Sequence, residues 1–322
     1  MPFNKKPAEV AGRVNRVLER LMPILTPGGL VLGVLLAPFF LKFRPFIPLI
    51  FGIMTLSGAL ALKVRDLGLA VSRPLPVIFF LISARIINPL LVLFLSSLVF
   101  GNDADTISGY VLIYAVPTAV SGFIWVSVFR GDLALTLALI LLDTILAPVV
   151  VPGTVRILLG TRVVLDMGGM ALSLIYMVVI PTVIGVALNE ITRGKAPRIA
   201  GPFLTPLAKL CMILVVSANS AAVASQIDFA NPRFWLVGAV CVLLSASGFM
   251  IGKIAGFLGR FNRDKQVSLF FAVGLHNTSA AMTLGIEFFP GPAALPSVLG
   301  IMFQQSICAI MGQVMLKEAK GK

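Results

Sequence analysis

The sequence predicts an all-α membrane protein built as one bundle of ten transmembrane helices, and three observations predict it. First, its 322 residues are 58% hydrophobic and only 12% charged, where soluble domains carry about one quarter charged residues. The mean hydropathy is +1.01. Second, ten apolar runs each reach the roughly 17–25 residues that a helix needs to cross a bilayer. Third, Lys and Arg collect in alternate connectors, as they do when one face of a membrane protein is cytoplasmic. The net charge of +13 therefore belongs to membrane topology, and no nucleic-acid partner is expected.

Taken in order, residues 1–21 hold Lys5, Lys6, Arg13, Arg16 and Arg20 without an apolar core of their own. They read as a cytoplasmic, amphipathic lead-in and not as a cleaved signal peptide. The first span, 22–41, stops at Lys42, and the second, 46–62, stops at KVRDLGLAVSRP. The third, 75–100, closes at GNDADT, the fourth, 108–129, at RGD, and the fifth, 132–155, at Arg156. The sixth, 166–188, is followed by NEITRGKAPR, and the seventh and eighth are 201–225 and 233–257, the latter closed by GRFNRDK. The ninth, 267–289, ends in FFPGP, and the tenth, 293–316, leads into a basic cytoplasmic tail, 317–322. With the N-terminus inside, one face receives the lead-in and clusters such as Arg193, Lys195 and Arg198. The other keeps only Lys42, Arg44, Arg156, Arg162 and Arg233. Both termini are thus expected in the cytoplasm, in a bacterial inner membrane.

Ten spans divide into two halves, 22–155 and 166–316. Five is odd, so the second half enters from the opposite face and any structural repeat is inverted. The fourth span of each half contains an unusual patch, VPTAVSGF (Val116–Phe123) and AVGLHNTS (Ala272–Ser279). Interrupted helices at matching places in two halves point to a transporter's binding site.

The interior holds few ionisable groups. Lys209 and Lys253 lie near helix ends, where long side chains reach the interface. Arg85 and Asp143 lie ~15 Å and ~16 Å from their helix ends at 1.5 Å per residue. Charges at such depth cost roughly 2.5–3.5 kcal/mol each and pair with one another or line an aqueous cavity. His276 is the chain's only histidine, and an imidazole ordinarily titrates near neutral pH. Cys211, Cys241 and Cys308 stand apart, without metal or disulfide spacing. There is no HExxH, no GxSxG and no pair of acids at one depth, so an enzyme is not expected.

Several segments carry a resemblance: FGIMTLSGALALKVRDL, IINPL, VPTAVSGFIWVSVFRGDLALTLAL, DTILAPVV and VGLHNTSAAMTLGIEFFPGPAALPSVLGIMFQQ. Together, over residues 46–316, they resemble the bile acid:sodium symporter (BASS) family. The resemblance implies two inverted five-helix repeats arranged as panel and core domains, with helices four and nine crossing where they unwind. It also implies a small organic-anion substrate, such as a bile acid, pantoate or a keto acid, moved by alternating access.

At the family's sodium ligands this chain departs from the pattern. The family's Glu-x-Gly-x-Gln-Asn in helix nine matches Ala272, Gly274, His276 and Asn277. Its Ser-Asn pair in helix four matches Gly122 and Phe123, and its glutamine in helix three matches Ala84, beside Arg85. In helix five Thr136 retains a hydroxyl while the next ligand position is Ile140. The expected substrate-binding residues are Ser121, Gly122, Asn277, Thr278 and Arg85. The half-helix N-termini at Ser121–Phe123 and Asn277–Thr278 would offer backbone N–H groups to a carboxylate. Arg85 is expected where a cation would sit, His276 as a proton carrier and Asp143 as counter-charge, with no bound cofactor and no metal. Proton coupling or exchange would then replace two-sodium coupling. FIWVSVFRGD with Asp143 and Ala147-Pro148 also resembles the related arsenite exporters, although Thr118 stands where those have a cysteine. A third reading is a membrane sensor that moves no substrate.

Overall fold

The computed structural model describes residues 5–72, 74–160, 166–228, 230–289 and 291–316. Its helices are α1 (Lys5–Leu35), α2 (Ala37–Ala59), α3 (Val64–Ser72), α4 (Pro74–Phe100), α5 (Ala104–Ala115), α6 (Gly122–Val128) and α7 (Leu133–Leu159). They continue with α8 (Met167–Ile191), α9 (Ala196–Ala222), α10 (Pro232–Leu258), α11 (Arg263–Gly274), α12 (Thr278–Phe288) and α13 (Leu295–Leu316). Among the described residues seven helices, α2, α4, α7, α8, α9, α10 and α13, are long and apolar enough to span a membrane. Two of the remaining sequence spans, 108–129 and 267–289, are each split into a pair of shorter helices. Within α1, Ile24–Leu35 is a shorter apolar stretch.

Two boundaries differ from the sequence reading. The gap expected at 42–45 between the first two spans falls at Leu36, with Lys42 and Arg44 inside α2, and the start of the first span differs too. From Lys5 onward the lead-in is not separate from the first span, because α1 runs unbroken to Leu35. Pro23 and Pro27 lie inside it, and membrane helices tolerate proline where neighbouring groups take up the freed carbonyls.

The chain forms two compact units, each assembled from both halves of the sequence. One comprises the residues up to Val64 with Leu172–Ser225, and the other Arg65–Ala171 with Gln226 onward. In the first unit α1 lies along α9. A Cβ on Gly33 would come within 2.8 Å of both the Cα and the carbonyl carbon of Ser217, and one on Gly29 within 3.2 Å of Ile213 and Ser217. The Ser217 hydroxyl donates to the Gly29 carbonyl at 2.8 Å. Gly29-x-x-x-Gly33 thus works as a small-residue seam that lets two membrane helices touch backbone to backbone. In the same unit Asn189 Nδ2 donates to the Leu62 carbonyl (2.9 Å) and Glu190 Oε1 accepts from the Val64 N–H (2.9 Å), fixing the chain just beyond α2.

In the second unit, side-chain caps set the helix starts, as the orphan N–H groups of a first turn require. Asp103 accepts from Thr106 N (3.2 Å), Asp132 from Leu135 N (2.9 Å) and Asn231 from Arg233 N (2.9 Å). Connectors also meet one another within this unit. Arg233 pairs with Asp103 at one end, and at the other Asp132 N donates to the Asp264 carbonyl (3.0 Å). Lys253 Nζ reaches the Met315 carbonyl at 3.2 Å, so it caps the end of α13.

Candidate functional site

The site lies in the second unit, where its two broken helices cross. In the first break Pro117 has no N–H to continue α5 and disfavours helical geometry at the residue before it. Val116 is accordingly extended, with ψ 157°. The second break follows Gly274, where any side chain would run into the Phe249 ring. Leu275 is extended (φ −104°, ψ 118°), and Asn277 restarts the chain as α12 by accepting from Ala280 N at 3.2 Å. The two extended stretches pair antiparallel through Thr118 and His276. Asn277 N donates to the Pro117 carbonyl (2.9 Å), and Ala119 N donates to the Leu275 carbonyl (3.2 Å).

Several other freed backbone groups are met by side chains, as groups cut off from water require partners. Arg85 Nη1 donates to the carbonyls of Ala115 (2.8 Å) and Val116 (2.9 Å), the end of α5. Its Nη2 pairs with Asp143, and both side chains are almost fully buried, at 7% and 3% exposure. The same Asp143 oxygen accepts from Thr118 N at 2.7 Å. Thr118 Oγ1 donates to the Ala272 carbonyl (2.8 Å), and Asn88 Nδ2 to the Val273 carbonyl (3.3 Å), both at the end of α11. Gln304 Nε2 donates to the His276 carbonyl (2.7 Å), while its Oε1 accepts from Thr278 Oγ1 (3.0 Å).

A π-turn at Ser83–Ile87 makes part of this possible. It precedes Pro89, whose missing N–H loosens the helix at that level. From that one distorted stretch Arg85 reaches the first break and Asn88 the second.

The structure therefore brings Arg85, Asp143 and His276 into one cluster. Asp143 is the direct partner of Arg85 and reaches His276 only through Thr118. The ring partner of His276 is Asn88, whose Nδ2 lies 3.2 Å from Nε2. Tyr114 packs edge-on against the imidazole at 4.6 Å between ring centroids, and His276 is 2% exposed. Ser121 is the N-cap residue of α6 and is half-buried, with Gly122 buried behind it. Asn277 is half-buried and Thr278 buried.

Several of the positions expected to match the family's sodium ligands, Ala84, Ala272, Ile140 and Phe123, hold carbon side chains. Ala84 and Ala272 are fully buried in one apolar cluster with Val77, Phe80, Leu135 and Leu139. Ile140 is fully buried as well, Phe123 is half-buried, and Thr136 directs its hydroxyl to the Asp132 carbonyl at 2.9 Å. A hard cation needs several oxygen ligands at once, and these side chains do not supply them. The cysteines are placed elsewhere. Cys211 is in α9 of the other unit, Cys241 faces the Pro296 carbonyl, and Cys308 packs with Phe271.

Sequence reasoning missed Asn88 and Gln304. Asn88 is a lone amide in the apolar run IINPL, and Gln304 is one of two adjacent amides in MFQQ. A membrane core rarely holds such a group unless it has a partner, so that rarity was the available signal. Gln304→Ala is expected to cost about 1–3 kcal/mol, the penalty for orphaning a buried carbonyl. Its neighbour Gln305 is exposed and bonds Trp125 at 3.0 Å, so Gln305→Ala should cost markedly less. Thermal unfolding of the two detergent-solubilised variants measures the difference.

Paired broken helices crossing midway along a helical bundle define a class, the membrane carriers that bind substrate at interrupted helices. This chain belongs to the Sodium Bile acid symporter family, whose sequence profile matches residues 48–228. It is 35% identical over 294 residues to the Bacillus subtilis (strain 168) protein YbaS, covering 91% of this chain and 96% of YbaS. It is 25% identical over 315 residues to the probable sodium/metabolite cotransporter BASS3, chloroplastic, of Oryza sativa subsp. japonica, covering 97% of this chain and 72% of that one. It is also 22% identical over 294 residues to the sodium-dependent transporter YocS of Bacillus subtilis (strain 168), covering 91% and 89%. The protein is accordingly an integral membrane protein of a secondary transporter family, with a small-molecule substrate and the lipid bilayer as its surroundings.

Proposed function

We propose that this protein carries a small organic anion by alternating access, in an inner membrane with both termini cytoplasmic, and that a resident guanidinium replaces the family's sodium ions. The reading takes the spans 22–155 and 166–316 as two inverted repeats of five helices. Substrate meets the half-helix starts at Ser121, Gly122, Asn277 and Thr278.

One observation carries the proposal: Arg85 binds the carbonyls of Ala115 and Val116 and the carboxylate of Asp143 at the crossing. Those are negative groups that a bound cation would otherwise have to neutralise. A tethered cation cannot leave with the substrate, so Arg85 alone gives exchange or facilitated flux. A proton carried on His276 or Asp143 can leave, and gives proton coupling. Thr118 does not favour arsenite chemistry, since it offers a hydroxyl already donated to the Ala272 carbonyl where a thiol would be needed.

The test is uptake and counterflow in liposomes, with pyruvate, pantoate and taurocholate as labelled probes and with sodium and proton gradients imposed separately. Flux of at least one probe that ignores the sodium gradient is expected. Uptake that requires sodium sinks the resident-cation reading, and absence of counterflow for any organic anion favours a sensor. His276→Ala and Asp143→Asn, assayed across pH, separate exchange from proton coupling.

A further inference from the structure

We infer that Asn88 and His276 form an amide–imidazole switch, in which a proton on Nε2 turns the Asn88 amide over and releases the Val273 carbonyl at the second break. The inference deepens the proton-coupled form of the function proposed above, and it makes Asn88 a positioning residue for that function.

The argument starts from hydrogen-bond inventory. An asparagine amide has an NH2 end that only donates and an oxygen that only accepts. Asn88 Nδ2 faces two acceptors, the Val273 carbonyl at 3.3 Å and His276 Nε2 at 3.2 Å. The carbonyl dictates the orientation, because turning the amide over would set oxygen against oxygen. Two hydrogens on Nδ2 then serve both neighbours, and Nε2 must present its lone pair. The imidazole is therefore neutral, with its proton on Nδ1. In this arrangement Asn88 Oδ1 is buried and has no hydrogen-bond partner, and neither has the buried Nδ1 of His276. Leaving a buried acceptor unmet is costly, so an idle oxygen on the residue facing the imidazole needs a reason.

Protonation supplies one. When Nε2 takes a proton from bulk water, its new N–H meets the NH2 of Asn88, donor against donor. Rotation of the amide by half a turn relieves the clash and gives Oδ1 the partner it lacked. The same rotation sets Oδ1 against the Val273 carbonyl and takes Nδ2 to the side where no partner stands, so α11 loses one of the two side-chain donors at its C-terminal end and its carbonyl is repelled. Thr118 Oγ1 on the Ala272 carbonyl remains. Loss of the proton reverses each step.

The groups facing the imidazole are few. Tyr114 approaches from α5 and Asn88 from α4, with Gln304 of α13 on the His276 carbonyl. Arg85 of α4 is the charged group that acts on the ring, and the Val116 backbone at the first break also faces it; Asp143 of α7 pairs with Arg85. No carboxylate contacts the ring among the described residues, so Asn88 is what a proton on Nε2 encounters.

A chain with one histidine allows a direct test. Protein labelled with ¹⁵N-histidine gives a single imidazole spectrum in lipid nanodiscs, read across pH without any substrate. The wild type should show the Nδ1–H tautomer alone at high pH and lose the unprotonated Nε2 signal as pH falls. Asn88→Leu, which neither donates nor accepts, should show both tautomers at high pH. Asn88→Asp can accept from Nε2–H but cannot donate to it, and should lose the unprotonated Nε2 signal even at high pH. A wild-type Nε2–H tautomer at high pH, or a wild-type spectrum that does not change across pH, overturns the switch. A wild-type spectrum unchanged by either substitution overturns it too. These outcomes are independent of transport, so they are distinguishable from failure of the liposome assays.

Discussion

Replacing Arg85 by alanine is expected to destabilise the protein by about 3–5 kcal/mol, the range for removing one partner of a buried ion pair. The loss has two parts. Asp143 would remain as a nearly buried carboxylate without its counter-charge, and the carbonyls of Ala115 and Val116 would lose their shared donor. Arg85→Lys should fall between, because an ammonium carries the charge but lacks the planar fork that serves two carbonyls and a carboxylate together. The double variant Arg85→Gln with Asp143→Asn should recover at least half of the single variant's loss. It removes both charges while keeping a donor near the carbonyls and an acceptor near Thr118 N. Added sodium should not restore Arg85→Ala, since Ala84, Ala272 and Ile140 present carbon to the crossing. Thermal unfolding of the four proteins in detergent, with and without sodium chloride, measures all of this. A single variant as stable as wild type would show that the ion pair contributes nothing.

The second large effect is expected at Gly33. Leucine there would drive a side chain into the backbone of Ser217, with the first carbon already 2.8 Å from two main-chain atoms. Main chain cannot step aside as a flexible side chain can, so α1 must separate from α9 or bend. Overpacking of this kind costs typically 1–3 kcal/mol and occasionally more. The Ser217–Gly29 hydrogen bond would be broken as well. Gly28→Leu is the control, because a side chain at Gly28 meets nothing within 4 Å. Gly33→Leu should unfold at lower temperature than Gly28→Leu, and equal melting of the two would remove the seam from the account of α1.

Much of the fold was legible because membrane helices announce themselves by length and apolarity. The interruptions at Val116–Phe123 and Ala272–Ser279 could be seen as composition before any coordinates, since proline, glycine and asparagine there break an apolar rhythm. The pairing of Arg85 with Asp143 followed from depth, because two opposite charges at one level in hydrocarbon have little else to do. Less legible was anything that depends on helix rotation. Asn88 lies only four positions beyond Ala84 and three beyond Arg85, yet the π-turn at Ser83–Ile87 is what turns it towards the second break. Gln304 and Gln305 are neighbours in sequence, and one is buried at the crossing while the other is exposed. The Gly29–Gly33 seam went unread because glycines are common in membrane helices, and their meaning depends on what faces them.

The bridge between Thr118 and His276 has a consequence for how such a carrier can vary. Its two hydrogen bonds join peptide groups, from Asn277 to Pro117 and from Ala119 to Leu275. Peptide groups are present whatever residues are chosen, so this join survives the exchange of nearby chemistry. Side chains around the crossing can therefore be exchanged while this main-chain join persists, provided that neither Ala119 nor Asn277 becomes proline, which has no N–H to donate.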